Sequence, residues 1–227
     1  NLAKTKKIAV IGENAIKMMT VGGGSSSLKV KYETSPLDGI KARFGKNAEV
    51  NYARGYVGDV GGEYNGVKTG KDLTDKRSQA ELTKEAVELA KKSDFVIFVG
   101  GLNKSDFQDS EGNDRKELGL PYNQNELISA LAKANKNFAV LMVSGNAVAM
   151  PWVKEVPSIV QAWYLGSESG NAIASILAGD ANPSGKLPFT FPVKLEDNAA
   201  HAVGEYPGNK EELALGKGKD QQNPINI

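Results

Sequence analysis

Short apolar runs that end in glycine alternate with amphipathic segments along most of this sequence, and this alternation narrows the choice of fold. Residues 7–12 (KIAVIG) and 94–100 (DFVIFVG) are typical of strands that are buried on both faces of a parallel sheet. Residues 80–92, between them, place their apolar side chains on one helical face. A β-α-β order of this kind predicts an α/β domain, with a mostly parallel sheet and helices on both faces.

The same two patterns recur toward the C-terminal end. Helices are predicted over residues 36–45, 123–134 and 170–177, and further strands over residues 48–53, 138–143, 158–164 and 187–191. The glycine-, lysine- and aspartate-rich residues 55–75 are predicted to form a loop. These elements give a six-stranded sheet in a domain spanning residues 1–208, followed by a polar tail over residues 209–227.

The composition excludes several classes of function. The 28 basic and 27 acidic residues are interspersed and leave a net charge of +1, so no nucleic-acid partner is expected. No apolar run approaches the roughly 20 residues that cross a bilayer, so no membrane insertion is expected. Cysteine is absent and His201 is the single histidine, which excludes disulfides, thiolate metal sites and imidazole-rich zinc sites. Neither a metal nor a cofactor is predicted.

Ligands of open parallel sheets bind outside the carboxyl ends of the strands. The loops predicted at those ends span residues 12–27, 100–120, 145–152 and 166–170. The first contains a GGGSSS stretch that lacks the lysine of a phosphate-binding loop, and a nucleotide-binding flavodoxin-like domain stays open as an alternative. The last reads GSESG, with Glu168 where a nucleophile elbow has serine, and it is predicted to be a strand-to-helix turn.

Residues 106–115 (DFQDSEGNDR) place four carboxylates and one guanidinium in a loop after the strongest strand. The loop is long for a strand-to-helix connection, which favours a functional role over a solvated one. Gly112 leaves room for a substrate to approach Glu111 closely. A carboxyl group beside apolar rings can have a raised pKa and donate a proton near neutral pH. Arg115 could hold a neighbouring aspartate in its ionised form.

Large aromatic side chains follow two of the predicted strands. Trp152 comes after one strand, and Trp163 and Tyr164 end another. Exposed aromatic faces at strand ends suit the C–H faces of a sugar ring, whereas burial in the core is the common fate of such residues. The sequence leaves both interpretations open.

Two long segments resemble glycoside hydrolase family 3. Residues 161–174 (QAWYLGSESGNAIA) resemble its QAWYPGQEGGNAIA segment, and residues 177–192 (LAGDANPSGKLPFTFP) resemble its LFGDVNPSGKLPxTFP segment. The resemblance extends over roughly residues 5–208 and includes the glycine-rich stretch and the charged loop. Leu165, Ser167 and Ser169 depart from the family pattern, which affects the geometry of that turn more than its chemistry.

The resemblance implies that the two catalytic groups come from two different domains. In the family a TIM-barrel domain supplies an aspartate nucleophile, and a following six-stranded α/β sandwich supplies the general acid/base. Matching residues 110–115 (SEGNDR) to the family's GEGxDR pattern places the acid/base at Glu111, with Asp109 as the fallback because Ser110 replaces the first glycine. The residues expected to bind substrate or support the loop are Asp114, Arg115, Trp152, Trp163 and Glu168.

The resemblance also implies a function for the longer protein. It would be a retaining β-glycosidase that hydrolyses terminal β-glucosyl residues of oligosaccharides or glycosides, and this chain alone would be inactive without the upstream barrel. A β-xylosidase and a non-catalytic carbohydrate-binding module remain the alternatives. A homodimer is a further candidate assembly, and a periplasmic or secreted location follows from the family.

Overall fold

The computed structural model describes residues 2, 5–17, 19–20, 30–58, 63–64, 67–68, 73–105, 107–110 and 115–202. The strands in this part of the chain are β1 (Lys7–Ile11), β2 (Glu49–Ala53), β3 (Glu63–Tyr64), β4 (Val67–Lys68), β5 (Phe95–Gly101), β6 (Phe138–Val143) and β7 (Ser158–Gln161). The helices are α1 (Pro36–Phe44), α2 (Gln79–Lys91), α3 (Gln124–Ala134), α4 (Ser169–Ala178) and α5 (Ala199–Ala202). Single 3-10 turns occupy Glu13–Ala15, Gly166–Glu168 and Leu195–Asp197.

The main sheet has five strands in the order β2-β1-β5-β6-β7, and every neighbouring pair is parallel. This confirms the predicted α/β class with a parallel sheet. Strands β3 and β4 form a separate antiparallel pair, in which Glu63 lies opposite Lys68. The prediction that residues 55–75 are loop throughout was therefore wrong at this short hairpin.

The predicted sixth strand, residues 187–191, is not a strand. Pro188 and Pro192 lack the backbone N–H that a sheet ladder requires, so the segment is a poor partner for an edge strand. The two aromatic rings of this segment pack against each other and against Trp163. Phe189 and Phe191 stack on each other with ring centroids 5.7 Å apart, and both meet Trp163 edge-on.

Alternation along the strands divides the core between the two faces of the sheet. In β1, Ala9 and Ile11 belong to a buried cluster with residues of α2 and α3. Ile8 and Val10 belong to a second cluster with residues of α1 and α4. All four side chains are fully buried, as expected when a parallel sheet has helices on both faces. No helix in the described ranges is long and apolar enough to span a membrane.

The helices begin where local hydrogen bonding favours them. Ser35 precedes α1, and its hydroxyl accepts a hydrogen bond from the backbone N–H of Asp38. Ser78 and Glu81 form a reciprocal capping box at the start of α2. Such caps satisfy backbone donors that have no partner inside the helix, which agrees with the predicted starts of α1 and α2 lying within one residue of those observed.

The backbones of α1 and α4 touch where the helices cross. A Cβ atom on Gly170 would lie 2.0 Å from the carbonyl oxygen of Ser35, and one on Gly39 would lie 2.1 Å from the carbonyl oxygen of Gly170. We expect Gly170→Ala to push the helices apart and to lower the free energy of unfolding by about 1–3 kcal/mol. Urea unfolding measures the change. Gly185→Ala is the matched control, because nothing lies within 4 Å of its Cβ position; equal stability of the two variants would contradict the prediction.

The strand order places a topological switch point between β1 and β5. The chain moves from β1 to β2 on one side and then returns to add β5 on the other. The connections that leave the carboxyl ends of β1 and β5 therefore diverge and leave a crevice at that edge of the sheet. The connection after β5 contains the charged loop identified in the sequence.

Candidate functional site

The loop after β5 is fixed at its base by two buried amides. The side chain of Gln124, at the start of α3, both accepts from the N–H of Gly101 and donates to its carbonyl, each over 2.8 Å. Asn14, after β1, donates to the carbonyl of Leu102 over 2.9 Å. These contacts join the two ends of the loop to each other and join its first end to the turn after β1.

The first half of the loop folds back on itself. The backbone N–H of Asn103 donates to the side chain of Gln108, whose amide in turn donates to the hydroxyl of Tyr122. The carbonyl of Asn103 accepts from the N–H of Asp109 over 2.9 Å. Phe107 has the left-handed φ of 61° that this tight path requires, and its ring is 51% exposed.

Asp109 connects this loop to the ends of the next two strands. Its Oδ2 accepts hydrogen bonds from the N–H of Gly145 over 2.6 Å and from the hydroxyl of Tyr164 over 2.7 Å. Its Oδ1 accepts from Nδ2 of Asn146 over 2.8 Å. Gly145 and Asn146 follow β6, and Tyr164 follows β7. One half-buried carboxylate therefore joins three of the connections at the carboxyl edge of the sheet.

Tyr164 is held as a hydrogen-bond donor. Burial raises the pKa of its phenol, and the adjacent Asp109 carboxylate raises that pKa further. The ammonium group of Lys104 lies 4.7 Å from the centre of the Tyr164 ring. Burial lowers the pKa of this lysine, whereas the charge of Asp109 acts in the opposite direction. The phenol therefore stays protonated across the neutral range and keeps its bond to Asp109.

Arg115 lies on the far side of the same loop. Its Nη2 donates to the carbonyl of Ala147, while its buried Nη1 has no hydrogen-bond partner among the described residues. Burial lowers the pKa of its guanidinium. Asp109 is not within ion-pair distance of Arg115, although its charge acts to raise the pKa of the guanidinium, and Arg115 contacts the loop after β6 instead. The other neighbouring aspartates, Asp106 and Asp114, lie outside the described residues. The stem of Arg115 borders a cavity of about 280 Å³ that Leu102, Phe107 and Leu120 also line.

Several predicted site residues lie outside the described residues. These are Glu111, Asp114 and the glycine- and serine-rich residues 22–27. The structure describes both flanks of the Glu111 segment, namely Asp109 and Arg115, and places them at the edge of the sheet predicted to bind ligands. The roles of Glu111 and Asp114 in the site therefore stay predictions.

The two tryptophans differ in their surroundings. Trp152 is 1% exposed, packs in the core beneath α3, and donates from its indole nitrogen to Asn125 over 2.8 Å. Of the two interpretations that the sequence left open, burial is the one observed, so its ring is not available for stacking on a sugar. Trp163 is partly exposed and has a left-handed φ of 53°, with its ring held edge-on against Phe189 and Phe191.

Glu168 is exposed and belongs to a separate group of contacts. Its carboxylate accepts a hydrogen bond from the hydroxyl of Tyr32 and another from the side chain of Asn171. The bond from Tyr32, followed by that from Asn171, lowers the pKa of this carboxyl group. Glu168 therefore links the start of α4 to the chain that leads into α1. It lies in a turn between β7 and α4, which is the strand-to-helix turn predicted from the sequence.

Glu13 forms a buried charge cluster next to the site that sequence reasoning missed. It follows β1 and is 1% exposed, and its carboxylate contacts Arg54, Lys17 and the N–H of Gly58. A single glutamate after a strand carries no spacing signal, so the pattern gave no reason to select it. Among the described residues no group of three or more acidic or histidine side chains is arranged to hold a metal ion.

Comparisons with a family model and with known proteins agree on one family. Residues 2–222 match the model of the glycosyl hydrolase family 3 C-terminal domain. The β-glucosidase BoGH3A of Bacteroides ovatus is 53% identical over 221 residues, which are 94% of this chain and 29% of that protein. The thermostable β-glucosidase B of Acetivibrio thermocellus is 34% identical over 217 residues, which are 96% of this chain and 26% of that protein.

A solved structure agrees with these relatives. The crystal structure of a GH3 β-glucosidase from Bifidobacterium adolescentis superposes with a TM-score of 0.72 at 34% identity, and the match covers 92% of this chain and 27% of that one. The chain thus spans less than a third of the length of each of these proteins. Since the family match covers nearly the whole sequence, the chain belongs to glycoside hydrolase family 3, and it corresponds to the C-terminal domain of that family.

Proposed function

We propose that this chain is the acid/base domain of a retaining β-glycosidase whose preferred substrates end in a β-glucosyl residue. The observation that carries the proposal is the position of the two described flanks of this segment, Asp109 and Arg115. In a chain of this family they lie in the connection after β5, beside the switch point where an open α/β fold binds its ligands. The named relatives are β-glucosidases, which supports glucose over xylose.

The proposed reaction uses two carboxyl groups from two domains. The aspartate of the barrel domain attacks the anomeric carbon while Glu111 gives its proton to the glycosidic oxygen, so that the bond from this oxygen to the sugar breaks. Glu111, now ionised, then takes a proton from a water molecule. The water oxygen bonds to the anomeric carbon and the ester to the aspartate breaks, which releases the sugar and regenerates both groups.

The contacts of Asp109 support Glu111 over Asp109 as the proton donor. Both oxygens of Asp109 already accept hydrogen bonds, three in all. Because both oxygens are engaged by donors from the loops after β6 and β7, neither oxygen is free to approach a glycosidic oxygen. Glu111 is the next carboxylate along the chain, and Gly112 beside it permits close approach.

The stereochemistry of the product tests the proposed function. We expect the protein that contains both this domain and the barrel to release glucose first as the β-anomer, because two displacements retain the configuration. Proton NMR during hydrolysis of an aryl β-glucoside follows the anomer directly. The isolated 227-residue chain is the control and should give no turnover. Initial release of the α-anomer would exclude the retaining mechanism, and faster hydrolysis of an aryl β-xyloside would assign a β-xylosidase.

A further inference from the structure

The acid/base segment needs a fixed position, and the contacts around it indicate how that position is set. In the proposed mechanism a proton moves between Glu111 and the glycosidic oxygen, and a misplacement of about 1 Å can cost roughly 100-fold in rate. The connection between β5 and α3 is long, running from residue 102 to residue 123. A free connection of this length would sample many conformations, so the fold must hold the segment near Glu111 by specific contacts.

Asp109 makes the contacts that meet this need. It lies two residues before Glu111, so covalent geometry limits the distance between the two Cα atoms to about 7 Å. Its own N–H is bonded to Asn103 within the loop. Its carboxylate accepts from Gly145 and Asn146 after β6 and from Tyr164 after β7. The side chain thus connects the loop after β5 to the ends of two further strands.

The surroundings of Asp109 are shaped for this carboxylate. A Cβ atom on Gly145 would lie 3.3 Å from the Tyr164 ring, which is a tight contact, and 3.5 Å from Oδ2 of Asp109, so Gly145 packs closely against both partners. Tyr164 is half-buried, and its hydroxyl bond to Asp109 is oriented by the packing of the ring beside Lys104. Such pre-arranged donors favour one position of the carboxylate and therefore one path of the loop.

We propose that Asp109 is a positioning residue for the reaction, whose three hydrogen bonds fix the segment carrying the acid/base against the loops after β6 and β7. This inference rests on the proposed function, because it assigns to Asp109 an effect exerted through Glu111. It also separates the two loop carboxylates: Glu111 transfers protons, whereas Asp109 only accepts hydrogen bonds.

Two substitutions at Asp109 in the full-length protein distinguish these roles. Asp109→Ala removes all three acceptors, and we expect kcat/KM for a glucoside with a poor leaving group to fall about 10–100-fold, through misplacement of the acid. An activated aryl glucoside needs little acid assistance, so its kcat/KM should stay within a few-fold. Asp109→Asn should recover most of the loss. The amide oxygen of the new side chain can accept hydrogen bonds from Gly145 and Tyr164. The side-chain amide of Asn146 can rotate so that its oxygen accepts a hydrogen bond from the new NH₂ group.

A proton-transferring Asp109 would give a different result. An amide cannot transfer the proton, so Asp109→Asn would then be as impaired as Asp109→Ala, and azide would yield a glycosyl azide product; this outcome overturns the proposal. Equal losses of kcat/KM for both leaving groups would also overturn it, since they indicate general damage to the fold. Asp180→Asn is the matched control, because Asp180 pairs with Arg43 at the exposed surface and should not alter leaving-group dependence.

A second variant covers the case in which Asp109→Ala does not fold. Tyr164→Phe removes one of the three bonds and keeps the ring, so it should produce a smaller loss that is again confined to poor leaving groups. Leaving-group dependence identical to that of the wild type would count against the proposal. Failure of the proposed function itself looks different: the wild-type full-length protein would then hydrolyse no glycoside, or replacement of Glu111 would leave its activity intact.

Discussion

Replacing Glu111 by alanine in the full-length protein is expected to lower kcat/KM for a β-glucoside with a poor leaving group by about 10²–10⁴-fold. This is the usual contribution of a positioned general acid, and the loss arises because the departing alkoxide is no longer protonated. For an activated aryl glucoside, kcat/KM should change much less, since its leaving group departs without a proton. Its kcat should still fall, because Glu111 is also the base that activates water in the second step.

Added azide makes this prediction specific. Azide is an anionic nucleophile that needs no base, so it should restore kcat of the Glu111→Ala variant on the activated substrate and give a β-glucosyl azide. Glu126→Ala is the control, because Glu126 is exposed on α3 just beyond the same loop and should leave both kinetic constants unchanged. Retention of full activity by Glu111→Ala would move the acid/base role to another carboxylate of the loop.

Much of the fold could be predicted because its strands are buried on both faces. The continuous apolar runs that became β1, β5 and β6 have few alternative structures, and residues 36–45 have the local signals of a helix at both ends. The error at residues 187–191 has a physical cause. Alternating aromatic residues favour a strand, but prolines on both sides remove hydrogen-bond donors and the rings pack against Trp163 instead.

The site could be predicted only to the level of the sheet edge. The carboxyl ends of parallel strands lie at the same edge of the sheet whatever the loops contain. The location of the site near Asp109 and Arg115 could therefore be predicted from the strand order. The contacts of Asp109 with Asn146 and Tyr164 could not be predicted, since they join residues 37 and 55 positions apart through irregular loops. Trp152 shows the same limit, because its burial depends on how α3 packs over the sheet.

The largest expected change in stability comes from the buried cluster around Glu13. Replacing Glu13 by glutamine should lower the free energy of unfolding by about 3–5 kcal/mol, the usual cost of removing one partner of a buried ion pair. Glu13 lies 2.7 Å from Arg54 and 3.4 Å from Lys17, and the side chains of these three residues are 1%, 7% and 9% exposed. Without the carboxylate, the acidic partner that Arg54 keeps among the described residues is the more distant Asp75, at 3.6 Å.

The loss of unfolding free energy in Glu13→Gln should depend on the burial and the charge of Glu13. Urea unfolding of the 227-residue chain measures it, and Glu85→Gln is the matched control. Glu85 pairs with Arg77 at 2.6 Å, but both side chains are more than 40% exposed, so its loss should cost no more than about 1 kcal/mol. A variant Glu13→Gln with the stability of the wild type would show that the cluster contributes little.

A second substitution in the same background tests whether the lost contact between Glu13 and Lys17 contributes to this cost. Adding Lys17→Met to Glu13→Gln removes one of the two cations that contact the Glu13 carboxylate and keeps an apolar stem of similar length. If the penalty comes from buried cations, the double variant should be more stable than Glu13→Gln alone, although Lys17→Met alone destabilises the wild type. Simple additivity of the two changes would contradict this, because residues in one ion-pair network are expected to couple by about 0.5–3 kcal/mol.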